Sequence, residues 1–389
     1  MIADLVIKAG VCALVLGGVL NFAGMQTWLE RKQSALMQDR IGANRAYFTV
    51  PWWLGGAPVN WLLRKLGGLG IINALADVVK LLTKEDIVPA RGDKFLHTLA
   101  PWLSVFFALV AFAAIPIGPP LELWGRVIPL QVADVNAGLL FVLALASIGT
   151  YGVILAGMVS GSNLATLGGL RAASQMLAYE IALGVSLIGA VVCYGTLDVG
   201  LMVQKQGGML FGWLPAWGVF YQPLGCLVFM TAALAETKRV PFDLPEAEPE
   251  IIGYFTEYTG MKFGLFFLTD FVEVVLVSAL TTVLFFGGWQ MPYLSPGGFH
   301  FPWGAVVPVS HLAYVGLGLL SFTVKVVAFI WLFMLIRWTL PRFRYDQLMH
   351  LGWKVLFPLS LANIAVTSLL VVGTRADAVA SCCVITTVH

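Results

Sequence analysis

The sequence predicts an all-α polytopic membrane protein with eight transmembrane helices plus an amphipathic interfacial helix. Three observations carry that expectation. Of 389 residues, 59% are hydrophobic and only 11% are charged, against roughly 25% charged in soluble domains. The chain divides into uncharged runs near the roughly 20 residues that a helix needs to cross a bilayer. Its basic residues gather on alternate connecting segments. No water-soluble fold hides so much apolar surface.

The first run, 6–29, is uncharged from residue 9 onward and stops at Glu30-Arg31-Lys32. It lacks a small-residue cleavage site, so a span is expected and not a signal peptide. Plain apolar runs follow at 98–116, 137–159, 218–236 and 354–373. The run 174–196 carries Glu180, 262–287 carries Asp270 and Glu273, and 305–337 carries Lys325 near its middle. Between the first two runs, Ile71, Ile72, Leu75, Val78, Val79 and Leu82 share one face of a helix over 71–84, with Asn73, Asp77, Lys80 and Lys84 opposite. Such a helix either lies along the membrane surface or packs on the ends of other spans. Gly157 and Gly161 form a G-x-x-x-G packing sequence. Residues 1–373 thus read as one membrane domain, and 374–389 as a polar C-terminal tail of no assigned role.

Eight spans put both termini on one side. The segments after spans one, three, five and seven hold 18 Lys and Arg, while the opposite face holds four: Lys8, Arg126, Lys205 and Arg375. Basic segments mark the cytoplasmic side, so both termini are expected on the non-cytoplasmic side.

The net charge of +2, without a basic block, argues against a nucleic-acid partner. Five cysteines lack a C-x-x-C pair and five histidines lack a facing pair, so no metal, haem or iron–sulfur cluster is expected on this chain. No Walker A, H-E-x-x-H, G-x-S-x-G or G-x-G-x-x-G sequence supports nucleotide binding or hydrolysis.

A charge at mid-bilayer costs roughly 2.5–3.5 kcal/mol on insertion scales. Glu180, Glu236, Asp270 and Glu273 nevertheless sit within or at the edges of spans, and Asp243, Glu246, Glu248, Glu250 and Glu257 crowd the loop after span five. Desolvated carboxylates beside one another hold protons more tightly and exchange them near neutral pH. The group reads as a proton path. Acids paired singly with Arg or Lys would instead be structural pins. On the residues alone, a transporter and a subunit of a larger ion-moving machine both stay open.

The stretch Ala235-Glu236-Thr237-Lys238-Arg239-Val240-Pro241-Phe242-Asp243-Leu244-Pro245-Glu246-Ala247-Glu248 resembles the signature of one family. This is the quinone-chamber membrane subunit of respiratory complex I, the H subunit of bacterial NADH-quinone oxidoreductase and subunit 1 of the mitochondrial enzyme. Glu30-Arg31-Lys32, Gln38 to Arg45 and Ala76 to Lys80 are similar to its first cytoplasmic loop. Gly169-Leu170-Arg171 with Ala178-Tyr179-Glu180, Phe285 to Trp289, and Arg337 to Met349 with Leu351 to Lys354 extend the likeness over about residues 5 to 373. Three departures stand out. Ala43 replaces a usual Pro, Asp270 stands where Glu is common, and the loop between Glu250 and Glu257 is one residue short.

The resemblance implies a subunit, without a redox centre of its own, of a multisubunit proton-translocating enzyme in a bacterial inner membrane. Its substrate is a quinone, either ubiquinone or menaquinone. NADH is met only through peripheral flavin and iron–sulfur subunits on the cytoplasmic face, and antiporter-like and small membrane subunits lie alongside. The resemblance places Arg31, Arg40, Asp77, Lys80 and Phe242 at the quinone chamber. It makes Glu180, Glu236, Glu246, Glu248 and Asp270 the link that couples quinone reduction to proton translocation. Arg239, Asp243 and Lys325 are expected as structural ion-pair partners. Two other readings compete: the homologous membrane subunit of an energy-converting hydrogenase or formate hydrogenlyase, and a stand-alone ion transporter. The Phe242-to-Glu250 stretch and the Arg337-to-Met349 block favour the quinone branch. The repeated, discontinuous halves of a transporter are not visible.

Overall fold

The computed structural model describes residues 2–385 except 45, 48, 52–55, 91, 124, 211–212, 247–251, 301–302 and 304–305. Among them, seven helices are long and apolar enough to cross a membrane. Four occupy the first half of the chain: α1 (Ile2–Met37), then, after two short helices, α4 (Lys94–Ala111), α5 (Gly138–Val159) and α6 (Asn163–Tyr194). The short helices are α2 (Gly56–Leu69) and α3 (Ile72–Thr83). The second half adds α7 (Val199–Lys205), α8 (Gly218–Tyr221), α9 (Pro223–Glu236), α10 (Gly260–Phe285), α11 (His311–Thr339), α12 (Tyr345–His350) and α13 (Phe357–Ile385). A π-helical turn, Leu351–Leu356, joins α12 to α13.

The fifth expected span departs from a plain helix. Gln222 adopts φ −134° and ψ 55° between α8 and α9, and Pro223 opens α9. The 14 residues of α9 cover about 21 Å at 1.5 Å per residue, short of a hydrocarbon core of about 30 Å. The polar side chain at the break is paired inside the bundle: Asn363 Nδ2 donates to Gln222 Oε1 at 2.8 Å, and Gln222 Nε2 donates to Thr367 Oγ1 at 2.5 Å. In lipid such side-chain bonds replace the water that an interrupted helix lacks.

Helix α10 is the centre of the bundle: 78% of its apolar window is buried, against 17% for α1. The hydroxyls of Ser278, Thr281 and Thr282 donate back to the carbonyls four residues earlier, so buried polar groups on α10 need no outside partner. Helices α5 and α6 approach closely where Gly157 meets Gly169, and a Cβ added at Gly157 would lie 2.8 Å from Gly169 Cα. Gly161, the other half of the G-x-x-x-G, instead turns the chain with φ +66°. Two- and three-residue strands form small antiparallel hairpins between helices: β1 (Leu121–Leu123) with β2 (Arg126–Ile128), β3 (Met209–Leu210) with β4 (Leu214–Pro215), and β5 (Leu294–Ser295), β6 (Gly298–His300) and β7 (Val306–Val307) together.

Helix α3 holds the expected amphipathic stretch. None of its residues is buried, and Leu75, Val78, Val79 and Leu82 are each about half exposed or more. Other spans do not cover that face. Its flank touches the bundle, where Leu81 comes against Gly264 of α10 and Asp77 pairs with Arg31 of α1.

Candidate functional site: a buried charge cluster behind the loop after α9

The loop that follows α9 is fastened on three sides. Gln175 of α6 donates through Nε2 to the carbonyls of Ala235 (2.8 Å) and Phe242 (2.7 Å). Beyond α11, the Phe343 N–H donates to the Pro241 carbonyl at 3.1 Å, and Arg342 meets Asp243 at 2.7 Å. Arg239 reaches Glu30 of α1 at 3.3 Å while its guanidinium lies 4.2 Å over the Phe271 ring. Glu30 also pairs with Arg337 of α11, so one carboxylate joins α1, α11 and the loop.

Within this frame Lys238 takes φ +56°, a conformation that L residues visit rarely, and its side chain turns wholly inward. Its Nζ lies 3.0 Å from Asp270 Oδ1 and 3.3 Å from Glu273 Oε2. Positions 270 and 273 are one turn apart on α10 and so present both acids to one cation. The Tyr254 ring stands 5.8 Å from the ammonium, a cation–π distance. Burial opposes the charge on Lys238, but Asp270, Glu273 and Glu246 outweigh it and hold the ammonium's pKa above its ordinary value.

Glu246 completes the cluster. Its carboxyl lies beside that of Asp270, and the Tyr254 hydroxyl donates to its Oε1 at 3.4 Å. Burial first, then the neighbouring Asp270 and Asp243, raise the Glu246 pKa well above the ordinary carboxylate range, with Arg239 opposing. Glu246 therefore holds a proton more tightly than an ordinary carboxyl does.

Glu236 and Glu273 line a cavity of about 30 Å3 together with Thr150 and Thr237. That is room for about two waters with polar partners. Glu180 on α6 accepts a hydrogen bond from Ser147 on α5, and it lies near enough to Glu236 for their charges to interact. Glu180, Glu236, Glu246 and Asp270, singled out in the sequence, thus form one connected group, and Glu273 belongs to it. Glu248 lies outside the described residues.

The expected chamber residues are less concentrated. Arg31 pairs with Asp77 and so ties α1 to α3, with both side chains partly exposed. Arg40 bonds Gln38 at 2.7 Å and Ser34 at 3.5 Å, and Lys80 is exposed on α3. Phe242, expected at the chamber, lies in the loop after α9. It is 5% exposed, with its ring stacked on Phe343 at 5.4 Å and tilted against Tyr179 at 5.7 Å, so it packs the loop. Lys325, expected as an ion-pair partner, lies on α11. Its ammonium donates to the carbonyls of Phe286 (2.8 Å), Gly288 (3.0 Å) and Gln290 (2.6 Å) beneath the Trp217 ring, because the turn after α10 aims these three carbonyls at it.

The sequence alone does not single out Lys238, which reads there as one more basic loop residue. Nor does it mark Glu30 as more than the stop of the first run. The signal for Lys238 is its place beside the last residue of an apolar helix, opposite two acids spaced one turn apart. Among the described residues, no three His, Cys, Asp or Glu side chains converge as metal ligands.

Comparison with known proteins follows the same lines. A family model described as NADH dehydrogenase matches residues 9–368. The first of the NADH-quinone oxidoreductase H subunits of Geobacter metallireducens is 43% identical over 94% of this chain and 96% of its own. The second H subunit of Geobacter sulfurreducens is also 43% identical, over 94% and 96%. The first H subunit of Cytophaga hutchinsonii is 42% identical over 90% and 92%.

Proposed function

The chain belongs to the family of NADH-quinone oxidoreductase H subunits, and from that premise we propose that it walls the membrane side of a quinone chamber and relays quinone reduction to a buried carboxylate chain. The observation that carries this reading is Lys238 held between Asp270 and Glu273, with Glu246 and Glu236 on either side. Electrons reach the quinone from NADH through peripheral subunits, and this chain contributes protein groups and not a redox centre. The quinone, ubiquinone or menaquinone, is its substrate.

In this reading α1 and α3 frame the opening through which the quinone leaves the bilayer, and the Arg31–Asp77 pair sets their spacing. The exposed apolar face of α3 sits in the interface. Arg40 and Lys80 lie on the same approach.

Reduction places negative charge in the chamber and draws protons. Glu30 with its two arginines lies between that side and the cluster. A change of field there shifts the balance of the single Lys238 charge between Asp270 and Glu273, and with it the proton affinity of Glu246 and Glu236. The two-water cavity and Ser147 extend the chain to Glu180, from which protons or their electrostatic equivalent pass sideways to antiporter-like subunits. Adjacency of charges is not coupling, so a functional readout is required.

The reading includes eight membrane passages, with α8 and α9 forming the broken fifth, and both termini outside a bacterial inner membrane. The distribution of 18 basic residues against four supports that orientation. The test is NADH oxidation with a soluble quinone analogue in membranes with and without the chain, with and without a quinone-site inhibitor. Inhibitor-sensitive activity that depends on the chain supports the proposal. Undiminished quinone reduction after deletion of the chain overturns it.

A further inference from the structure

The outer end of α1 borders two crevices that the coupling path does not use. One, of about 160 Å3, is lined by Ile7, Lys8 and Val11 and, across from them, by Arg126, Ile128 and Asp134. The other, also of about 160 Å3, runs along Leu14, Val15, Gly18 and Phe22 against Ile115 and Phe322. Positions 7, 11, 14, 18 and 22 are three or four apart, so both crevices follow one face of α1. The facing wall is continuous as well. Ile117 N–H donates to the Leu130 carbonyl at 3.1 Å, and Ala133 N–H to the Ala113 carbonyl at 2.8 Å, which fastens the wall of the first crevice to that of the second.

Chemistry changes along this groove. Its outer end carries two cations and one acid, and its inner part is apolar apart from Thr323. From Lys8 to Gly18 is about 15 Å of helix at 1.5 Å per residue, which is half of a hydrocarbon core of about 30 Å. Gly18 has no atom within 4 Å of where a Cβ would stand, so the backbone leaves space open at that depth. An unfilled apolar crevice forfeits dispersion contacts on its whole lining, and water finds no partners there.

We infer that the groove holds one phospholipid with a primary-ammonium headgroup, its phosphate against Lys8 and Arg126, its ammonium against Asp134, and one acyl chain along α1 past Gly18. The carboxylate decides the class. A purely anionic headgroup would face Asp134 unfavourably, and a quaternary ammonium has no N–H to donate to it. The placement in the outer leaflet rests on the orientation proposed above.

The test is to purify the whole complex in detergent and count phospholipids per complex by mass spectrometry through successive washes, with NADH–quinone turnover read in parallel. The exposed pair Lys8→Ala with Arg126→Ala lies outside the buried core and should lose one phosphatidylethanolamine about tenfold sooner than wild type. Gly18→Trp should lack it from the start. Asp134→Asn should shift retention toward phosphatidylglycerol, and Lys205→Ala, an outward basic residue away from the groove, should behave as wild type. Equal retention in wild type, the double variant and Gly18→Trp overturns the site, as does recovery of quinone in place of the lipid. Retained lipid with absent turnover would count against the proposed function and leave the lipid site standing.

Discussion

Lys238 Nζ lies 3.0 Å from Asp270 Oδ1, with the two side chains 0% and 6% exposed. The same ammonium is 3.3 Å from Glu273. One buried cation thus serves two carboxylates on α10, with a third, Glu246, against Asp270. Three acids surround one buried ammonium, with Arg239 near Glu246 and Glu273.

Lys238→Met leaves those carboxylates without their cation. Stability should fall by about 3–5 kcal/mol, as when one partner of a buried pair is removed. Thermal denaturation of the purified complex reads this directly, with Lys238→Arg falling between the two because it keeps the charge in a larger group. An unchanged melting temperature in Lys238→Met would mean that the acids are already neutral and the lysine is not their counter-ion.

Glu246 has its pKa raised by burial and by Asp270 and Asp243. A raised acid binds its proton more tightly folded than unfolded. Stability from this group is therefore full below the ordinary carboxylate range and declines as pH rises through the folded value. Glu246→Gln should flatten that decline and remove one protonated-carboxyl band from the infrared spectrum near neutral pH. Persistence of the full band in the Gln variant would show that Glu246 is ionised.

The Arg31–Asp77 pair is partly exposed, with side chains 47% and 32% accessible. Breaking it should cost less than about 1 kcal/mol. If it sets the spacing of α1 and α3, Asp77→Ala should instead raise the KM for quinone several-fold with a smaller effect on kcat, and the charge-reversed double Arg31→Asp/Asp77→Arg should recover part of it. Equal kinetics in Asp77→Ala and wild type would remove the pair from the approach to the chamber.

Lys325 closes the turn after α10 through three carbonyls. Lys325→Met leaves part-buried acceptors unpaired at about 1–3 kcal/mol each at most. The assembled variant should denature at a lower temperature yet couple proton uptake to turnover as wild type does. A coupling defect without loss of stability would place Lys325 on the proton route.

Long apolar runs are legible in the sequence because membrane thickness dictates them, and the 71–84 pattern is legible because its faces separate so cleanly. The interruption at Gln222 is not, since a single uncharged polar residue barely alters an apolar run. The break falls at the residue before Pro223, and the side chain there is paired by Asn363, 141 residues away. Helix α2 and the small hairpins escape notice for want of a clear period. The acids of the site are visible by their cost in a bilayer. Their organiser is not, because Lys238 differs from a surface lysine only in a backbone turn and in partners 32 and 35 residues further on. Glu30 and Arg337, 307 positions apart, are joined by the fold alone.

The central claim is that the carboxylates around Glu236 carry the consequence of quinone reduction into the membrane. The most direct test measures NADH–quinone turnover and proton uptake together in vesicles bearing wild type or Glu236→Gln. The account predicts that the Gln variant, which keeps the shape of the cavity and removes its titration, loses turnover or loses proton uptake per turnover. Wild-type turnover with wild-type proton uptake in Glu236→Gln would contradict it and reduce Glu236 to a packing residue.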